Sequence, residues 1–173
     1  MNIVDCTEAR HAGAILAILN EAIVNSTALY DYHPRPPEAM VAWFATKRQN
    51  GFPVIGIEDE QGGLLAFASY GTFRAFPAFK YSVEHSIYVR HDQRGAGLGR
   101  LLLERLITVA QERGVHTLIG GIDMDNPGSI ALHTRFGFQL AGTIRQAGFK
   151  FGRWLDLGFY QLILATPAAP VDG

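Results

Sequence analysis

The sequence predicts an α/β fold of the α+β type, a mixed central sheet flanked by helices in the element order βααβββαβαββ. Three observations predict it. Apolar residues recur at helical spacing through residues 8–24, alternation takes over at residues 80–89, and a glycine-rich turn at 94–99 leads directly into a Leu- and Ile-rich helix. Helical and strand periods that interleave along one chain place helices on the faces of a sheet that contains both hairpins and crossovers.

Residues 2–6 read as a short strand, followed by a helix from Glu8 to Val24 whose Ala14, Ile15, Ile18, Leu19, Ala22 and Ile23 share one face. Asn25-Ser26-Thr27 and His33-Pro34-Arg35-Pro36-Pro37 bracket a loop-like segment carrying aromatics. Pro37 and Glu38 then make a good first turn for a second helix ending near Gly51. Phe52 to Glu58 and Leu64 to Phe73 are apolar runs joined by Asp59-Glu60-Gln61-Gly62-Gly63, the composition of a hairpin connection. In residues 80–89 the alternation sets Tyr81, Val83, His85, Ile87 and Val89 on one face and Glu84, Ser86 and Tyr88 on the other. A helix to about Arg113, a strand from Val115 to Ile122, a helix from Pro127 to Phe136 and strands near 138–147 and 154–164 complete the order. Residues 1–164 are expected to form a single domain, and the Pro/Ala-rich residues 165–173 a flexible tail.

Composition bounds the function. With 48% hydrophobic and 18% charged residues, against roughly 25% charged in ordinary soluble domains, the chain is not a disordered one. Fifteen Lys and Arg against sixteen Asp and Glu leave a formal charge of −1, which argues against a nucleic-acid partner. The longest strongly apolar stretch, Ala12 to Leu19, is far shorter than the roughly 20 residues of a membrane span, and the acidic N-terminal residues do not resemble a secretory leader, so a cytoplasmic location is expected. The lone Cys6 excludes an internal disulfide, and its distance from the motifs argues against an acyl-cysteine intermediate. The six histidines, at 11, 33, 85, 91, 116 and 133, lack metal-ligand spacing, so no metal is expected.

The most informative segment is Gln93-Arg94-Gly95-Ala96-Gly97-Leu98-Gly99, after a strand and directly before a helix. Glycines let backbone N–H groups approach a ligand, and a helix N-terminus adds positive dipole, so the place suits a phosphate or pyrophosphate; a plain turn into a helix is the alternative. No Lys follows the glycines, which excludes a Walker A loop, and the spacing from the strand does not fit a dinucleotide fingerprint. Arg94-Gly95-Ala96-Gly97-Leu98-Gly99 instead resembles the pyrophosphate loop of the GNAT N-acetyltransferase superfamily. Asn126-Pro127-Gly128-Ser129-Ile130-Ala131-Leu132-His133-Thr134-Arg135-Phe136-Gly137-Phe138 is similar to that superfamily's Asn-led helix, in the right order along the chain. Within the superfamily the chain resembles the phosphinothricin and methionine sulfone/sulfoximine acetyltransferases. That likeness is carried by Phe73-Arg74-Ala75-Phe76, Tyr81-Ser82-Val83-Glu84-His85-Ser86-Ile87-Tyr88-Val89 and Gly148-Phe149-Lys150-Phe151-Gly152-Arg153-Trp154-Leu155-Asp156-Leu157.

The resemblance implies a GNAT-like fold, acetyl-CoA as co-substrate, and a small amino-acid analogue acetylated on its α-amine by direct transfer in a ternary complex. It implies that Arg94, Gly95, Ala96, Gly97, Leu98 and Gly99 hold the pyrophosphate, and that the Ile87-Tyr88-Val89 backbone pairs with the pantetheine arm and polarises the carbonyl. Glu84 is the first candidate for the base that takes the ammonium proton, or else it orients that ammonium. His85 is the second candidate, although alternation points it to the other face. His133 stands where most of the superfamily has Tyr, as proton donor to the departing thiolate, as a CoA contact, or as a satisfied helix histidine. Asn126 either bonds the pantetheine or caps the helix that Pro127 begins, and Ser129 lies one turn on. Arg74 suits a carboxylate or an oxidised side-chain head, with a solvated loop charge as the alternative. Phe73, Phe76 and Phe79 could line that pocket, Lys150 could reach the carboxylate from a neighbouring subunit, and Glu21 and Tyr30 are further acceptor contacts. A homodimer is implied by the family and by the apolar strand Leu155 to Leu164. The rival acceptor is a protein N-terminus or another small amine, and the rival class a non-catalytic CoA-binding regulator.

Overall fold

A computed structural model describes residues 1–172, so Gly173, the end of the expected tail, lies outside the described residues. Among the described residues, eleven helices and strands follow the expected order: β1 (Asn2–Asp5), α1 (Glu8–Asn25), α2 (Ala39–Gln49), β2 (Val54–Glu58), β3 (Leu64–Thr72), β4 (Ser82–Val89), α3 (Leu98–Glu112), β5 (Thr117–Asp123), α4 (Pro127–Arg135), β6 (Gln139–Lys150) and β7 (Arg153–Ile163). Two short 3₁₀ turns, Pro77–Phe79 and His91–Gln93, flank β4. The strands form a seven-stranded sheet in the order β1-β2-β3-β4-β5-β7-β6. Packing divides the chain into two compact units, residues Met1–Tyr70 with Ser86–Leu106, and Gly71–His85 with the residues from Ile107 onward. Strand β4 therefore carries Ser82 to His85 in one unit and Ser86 to Val89 in the other.

In the first unit β1, β2 and β3 pair antiparallel. Ile15, Ile18 and Leu19 of α1 recur every three or four residues and pack with Met40 and Phe44 of α2 and with Val54, Leu64 and Phe67 of the strands. The His11 Nε2 lies 2.9 Å from the Glu58 carboxylate in a buried pair that ties α1 to β2. Lys47 donates to the Tyr70 carbonyl at 2.7 Å beside the Trp43 and Phe52 rings, and burial lowers its pKa to about 8.

In the second unit β4 runs parallel to β5 over Ser82–Glu84, and β5 pairs antiparallel with β7. Strand β7 lies between β5 and β6, so the sheet edge is β6, whose residues are exposed except near its end. The β6–β7 hairpin is bulged between Ile144 and Gly148, where Gln146 adopts φ 53° and donates its backbone N–H to the Asp156 carboxylate at 2.7 Å. Val171 N–H donates to the Tyr81 hydroxyl at 3.1 Å, and His116 Nδ1 lies 2.8 Å from the Thr166 carbonyl.

Candidate active site

The glycine-rich turn belongs to the first unit. Gly95 and Gly97 sit at φ 84° and 80°, a left-handed conformation that side chains rarely adopt, while a Cβ at either would meet nothing within 4 Å. Conformation, not space, is what requires glycine there. Helix α3 begins at Leu98, which is buried; the Arg100 and Leu101 N–H groups of its first turn donate to the Gly97 carbonyl at 3.1 and 3.3 Å, while those of Leu98 and Gly99 come too early to pair within the helix. Arg94 is exposed and pairs with Glu21 of α1 at 2.8 Å, the same Glu21 that accepts from Asn25 at 3.4 Å. Ile87, Tyr88 and Val89 are half-buried on β4, with the Tyr88 ring 5.4 Å from Phe67. Tyr30 is 38% exposed in the segment between α1 and α2.

The second unit holds the titratable groups. Alternation along β4 sends Glu84 and His85 to opposite faces, as the sequence predicts. Glu84 is exposed at the surface, yet the partial loss of water around its carboxyl raises its pKa above the ordinary value, and the Arg74 guanidinium lowers it in part. Glu84 stands over Gly121 of β5, where a Cβ would lie 3.1 Å from its Oε1 and within reach of Leu157 and Phe159. Arg74 lies over the Phe73 ring at 5.3 Å, and Phe73 packs edge-on against Phe79 and Phe159 at 5.9 and 6.4 Å. Phe76, in contrast, points outward with 72% of its surface exposed. Lys150 is buried at the end of β6 with its Nζ 5.0 Å from the Phe151 ring.

On the opposite face His85 is buried, its Nε2 2.9 Å from the Nε2 of His133, also buried, and both rings pack against Phe138. His133 Nδ1 lies 2.7 Å from the Ser129 carbonyl one turn back in α4, and 3.4 Å from the Ser129 hydroxyl. Burial lowers both histidines, His85 to about 3 with His133 adding to the effect. Asn126 caps α4, accepting the Ser129 N–H at 3.0 Å with Pro127 at the first helical position.

The structure thus groups Glu84 with Arg74 and Phe73, and His85 with His133 and Ser129; Phe76 stands apart. The Gly120-Gly121 pair was not singled out in the sequence, yet a Cβ on Gly120 would lie 3.1 Å from His85 Cε1 and 3.4 Å from His133 Nε2. Two consecutive glycines inside a strand are the signal, because they mark a close approach from both faces. Among the described residues no group of three or more His, Cys, Asp and Glu is placed to hold a metal, and no helix is long and apolar enough to cross a membrane.

Residues 17–138 match the Acetyltransferase (GNAT) family, and the chain belongs to that family. It is 47% identical over 157 residues to the L-methionine sulfoximine/L-methionine sulfone acetyltransferase of Pseudomonas aeruginosa, covering 90% of this chain and 91% of the relative. A solved phosphinothricin acetyltransferase of Sinorhizobium meliloti, in complex with acetyl-CoA, is 35% identical with a TM-score of 0.92, over 98% of this chain and 91% of the other. A solved ribosomal-protein-alanine N-acetyltransferase of Brucella melitensis is 46% identical with a TM-score of 0.91, over 95% of this chain and all (100%) of the other.

Proposed function

We propose that this GNAT acetyltransferase moves the acetyl group of acetyl-CoA to the α-amine of a small amino-acid analogue, with methionine sulfone, methionine sulfoximine and phosphinothricin as the expected acceptors. The observation that carries this reading is Glu84 within the electrostatic reach of the Arg74 guanidinium, near the Phe73, Phe79 and Phe159 rings. A carboxylate and a guanidinium that feel one another's charge offer one group for the ammonium and one for the carboxylate or the oxidised head of such an acceptor.

Glu84 takes the ammonium proton, directly or through a water, and its raised pKa brings it closer to neutral pH, where a base is most effective. The freed amine attacks the thioester carbon, the C–N bond forms, the C–S bond breaks and the thiolate departs. Backbone N–H groups of Ile87 to Val89 serve the carbonyl and the pantetheine. The turn of Arg94 to Gly99 takes the pyrophosphate, with Arg94 supplying charge, and Asn126 and Ser129 are pantetheine contacts. Cys6, whose thiol burial pushes up to about 12, holds little thiolate at neutral pH, which favours direct transfer over an acyl-cysteine.

The same reading includes a homodimer built on β6. A twelve-residue edge strand with Leu140, Ile144 and Phe149 exposed, beside the exposed Phe151 and Trp154, is a surface that natural proteins cover. A cytoplasmic setting fits the single reduced cysteine. The Brucella melitensis relative favours a second reading, acetylation of a protein N-terminus.

The test is to incubate the purified chain with acetyl-CoA and the three analogues, ordinary amino acids and a short peptide, following thiol release and the mass of each product. The expected result is an α-N-acetyl product from the analogues. Absence of any analogue product overturns the reading. Acetyl-CoA binding without turnover on any acceptor would favour a CoA-binding regulator.

A further inference from the structure

We infer that His85 is a positioning residue: through a buried hydrogen bond it holds His133 in its neutral form, in a slot that Gly120 keeps open. The inference rests on the acetyltransferase reading for its meaning in catalysis, but its geometry stands alone.

The proton positions follow from the partners. A carbonyl only accepts, so at 2.7 Å from the Ser129 carbonyl the His133 Nδ1 must carry a proton. A neutral His133 then has a bare Nε2. The His85 Nε2 lies 2.9 Å from it, and a contact of that length between two imidazole nitrogens needs one proton between them. That proton belongs to His85. The His85 Nδ1 is left bare, and among the described residues it is the buried side-chain nitrogen without a hydrogen-bond partner. The opposite arrangement requires a fully protonated His133 in a place that excludes water.

The surroundings agree with an uncharged pair. The titratable group that acts on His85 is His133 itself, and around the rings lie the Ile119 and Gly120 backbone of β5, the Ser129 carbonyl and hydroxyl of α4 and the Phe138 ring. Burial and His133 lower the His85 pKa to about 3 against the opposing pull of the Ile119 carbonyl, and burial lowers that of His133. A donor on the lone pair of Nε2 favours the neutral ring further. Space is the other requirement, since a Cβ on Gly120 would crowd both rings.

The consequence departs from the proton-donor role that the resemblance implies at this position. His133 has no proton on Nε2 to give, so it serves as a fixed, neutral group that ties α4, with Asn126 and Ser129 at its start, to β4. His85 acts through it rather than as a base.

The test uses ¹⁵N-labelled histidine in the full chain, without substrate. The expected signature in wild type is a protonated Nδ1 and a hydrogen-bonded, unprotonated Nε2 on His133, with coupling across the N–H···N bond to His85 and a midpoint below the ordinary histidine value. In His85→Leu the coupling vanishes, the His133 Nε2 signal moves to the unbonded position and its midpoint rises. His85→Gln, which keeps an N–H at the same reach, restores both signals, and turnover that falls about tenfold in His85→Leu returns in His85→Gln. Gly120→Ala, with both histidines present, weakens the coupling by pushing the rings apart, and keeps the test alive should His85→Leu fail to fold. A wild-type His133 protonated on Nε2, or titrating near pH 6.5, overturns the inference, as does a His85→Leu spectrum unchanged at His133. Absence of acetyl transfer would defeat the proposed function and leave these signals untouched.

Discussion

Glu84 and Arg74 are the residues on which catalysis is expected to turn, and their effects separate. Glu84→Gln removes the base and keeps the shape, so turnover should fall by about 10²- to 10⁴-fold while acetyl-CoA affinity measured by calorimetry stays within about twofold. Unchanged turnover would remove Glu84 as base. A base works deprotonated, so activity should rise with pH through a midpoint above the ordinary carboxyl value, because partial loss of water raises the Glu84 pKa. Arg74 opposes that rise. Arg74→Ala should therefore move the acidic limb of kcat/KM to higher pH as well as raise the acceptor KM, and a limb that stays in place would contradict the pairing. Alternation alone sent Glu84 and His85 to opposite faces. The meeting of His85 with His133, 48 residues on, was out of reach, because a helix face and a strand face are brought together by tertiary packing. Gly120 and Gly121 carried a trace of it: neighbouring glycines on a strand admit one group on each face, His85 on one and Glu84 on the other.

Helix α4 and the β6–β7 hairpin mark how far sequence periodicity reaches among the elements. Pro127 and Asn126 announced α4, and the structure gives Asn126 a cap bond to Ser129. Loss of that cap in Asn126→Ala should cost about 0.5–2 kcal/mol, read as a lower denaturant midpoint with the slope unchanged. A variant as stable as wild type but weaker in acetyl-CoA binding would instead make ligand contact its main role. Strand β6 runs on to Lys150, beyond the expected end near 147, because the chain passes through the bulge at Gln146 and resumes pairing at Gly148. That bulge depends on Asp156 across the hairpin, a partner that local propensity does not reveal. The 3₁₀ turns at Pro77–Phe79 and His91–Gln93 are too short to carry a period at all. The apolar run of β7 lies between β5 and β6 in the sheet, with Trp154 and Ile163 exposed at its two ends and Leu140, Ile144 and Phe149 exposed on β6.

Across the whole molecule, the buried histidines set the acid limit of stability. His85 is held down to about 3 and His133 below its ordinary 6.5, so below pH 6.5 the unfolded chain binds protons that the folded chain refuses. Stability is complete above pH 6.5 and should fall steadily as pH drops towards 3, a loss that His85→Gln makes shallower; equal slopes for the two proteins in urea titrations would contradict this. At the alkaline end Cys6 works in the other direction. The unfolded thiol ionises from about pH 9, the folded one only near 12, so Cys6 lowers stability over that range against the rise that the lowered Lys47 gives from about pH 8 to 10.5, and Cys6→Ser should make the protein more stable at pH 11 relative to pH 8 than wild type is. The exposed apolar side chains of β6 predict dimers in sedimentation at micromolar concentration, and Ile144→Lys should yield monomers. Monomers at all concentrations in wild type would remove the dimer from the account.

The most direct test of the central claim is the ratio of kcat/KM for methionine sulfone to that for an alanine-initiated peptide, both at saturating acetyl-CoA. An acceptor end built from Glu84, Arg74 and three phenylalanines predicts a ratio of about 100 or more in favour of methionine sulfone. A ratio at or below one would contradict it and make the chain an acetyltransferase of protein N-termini.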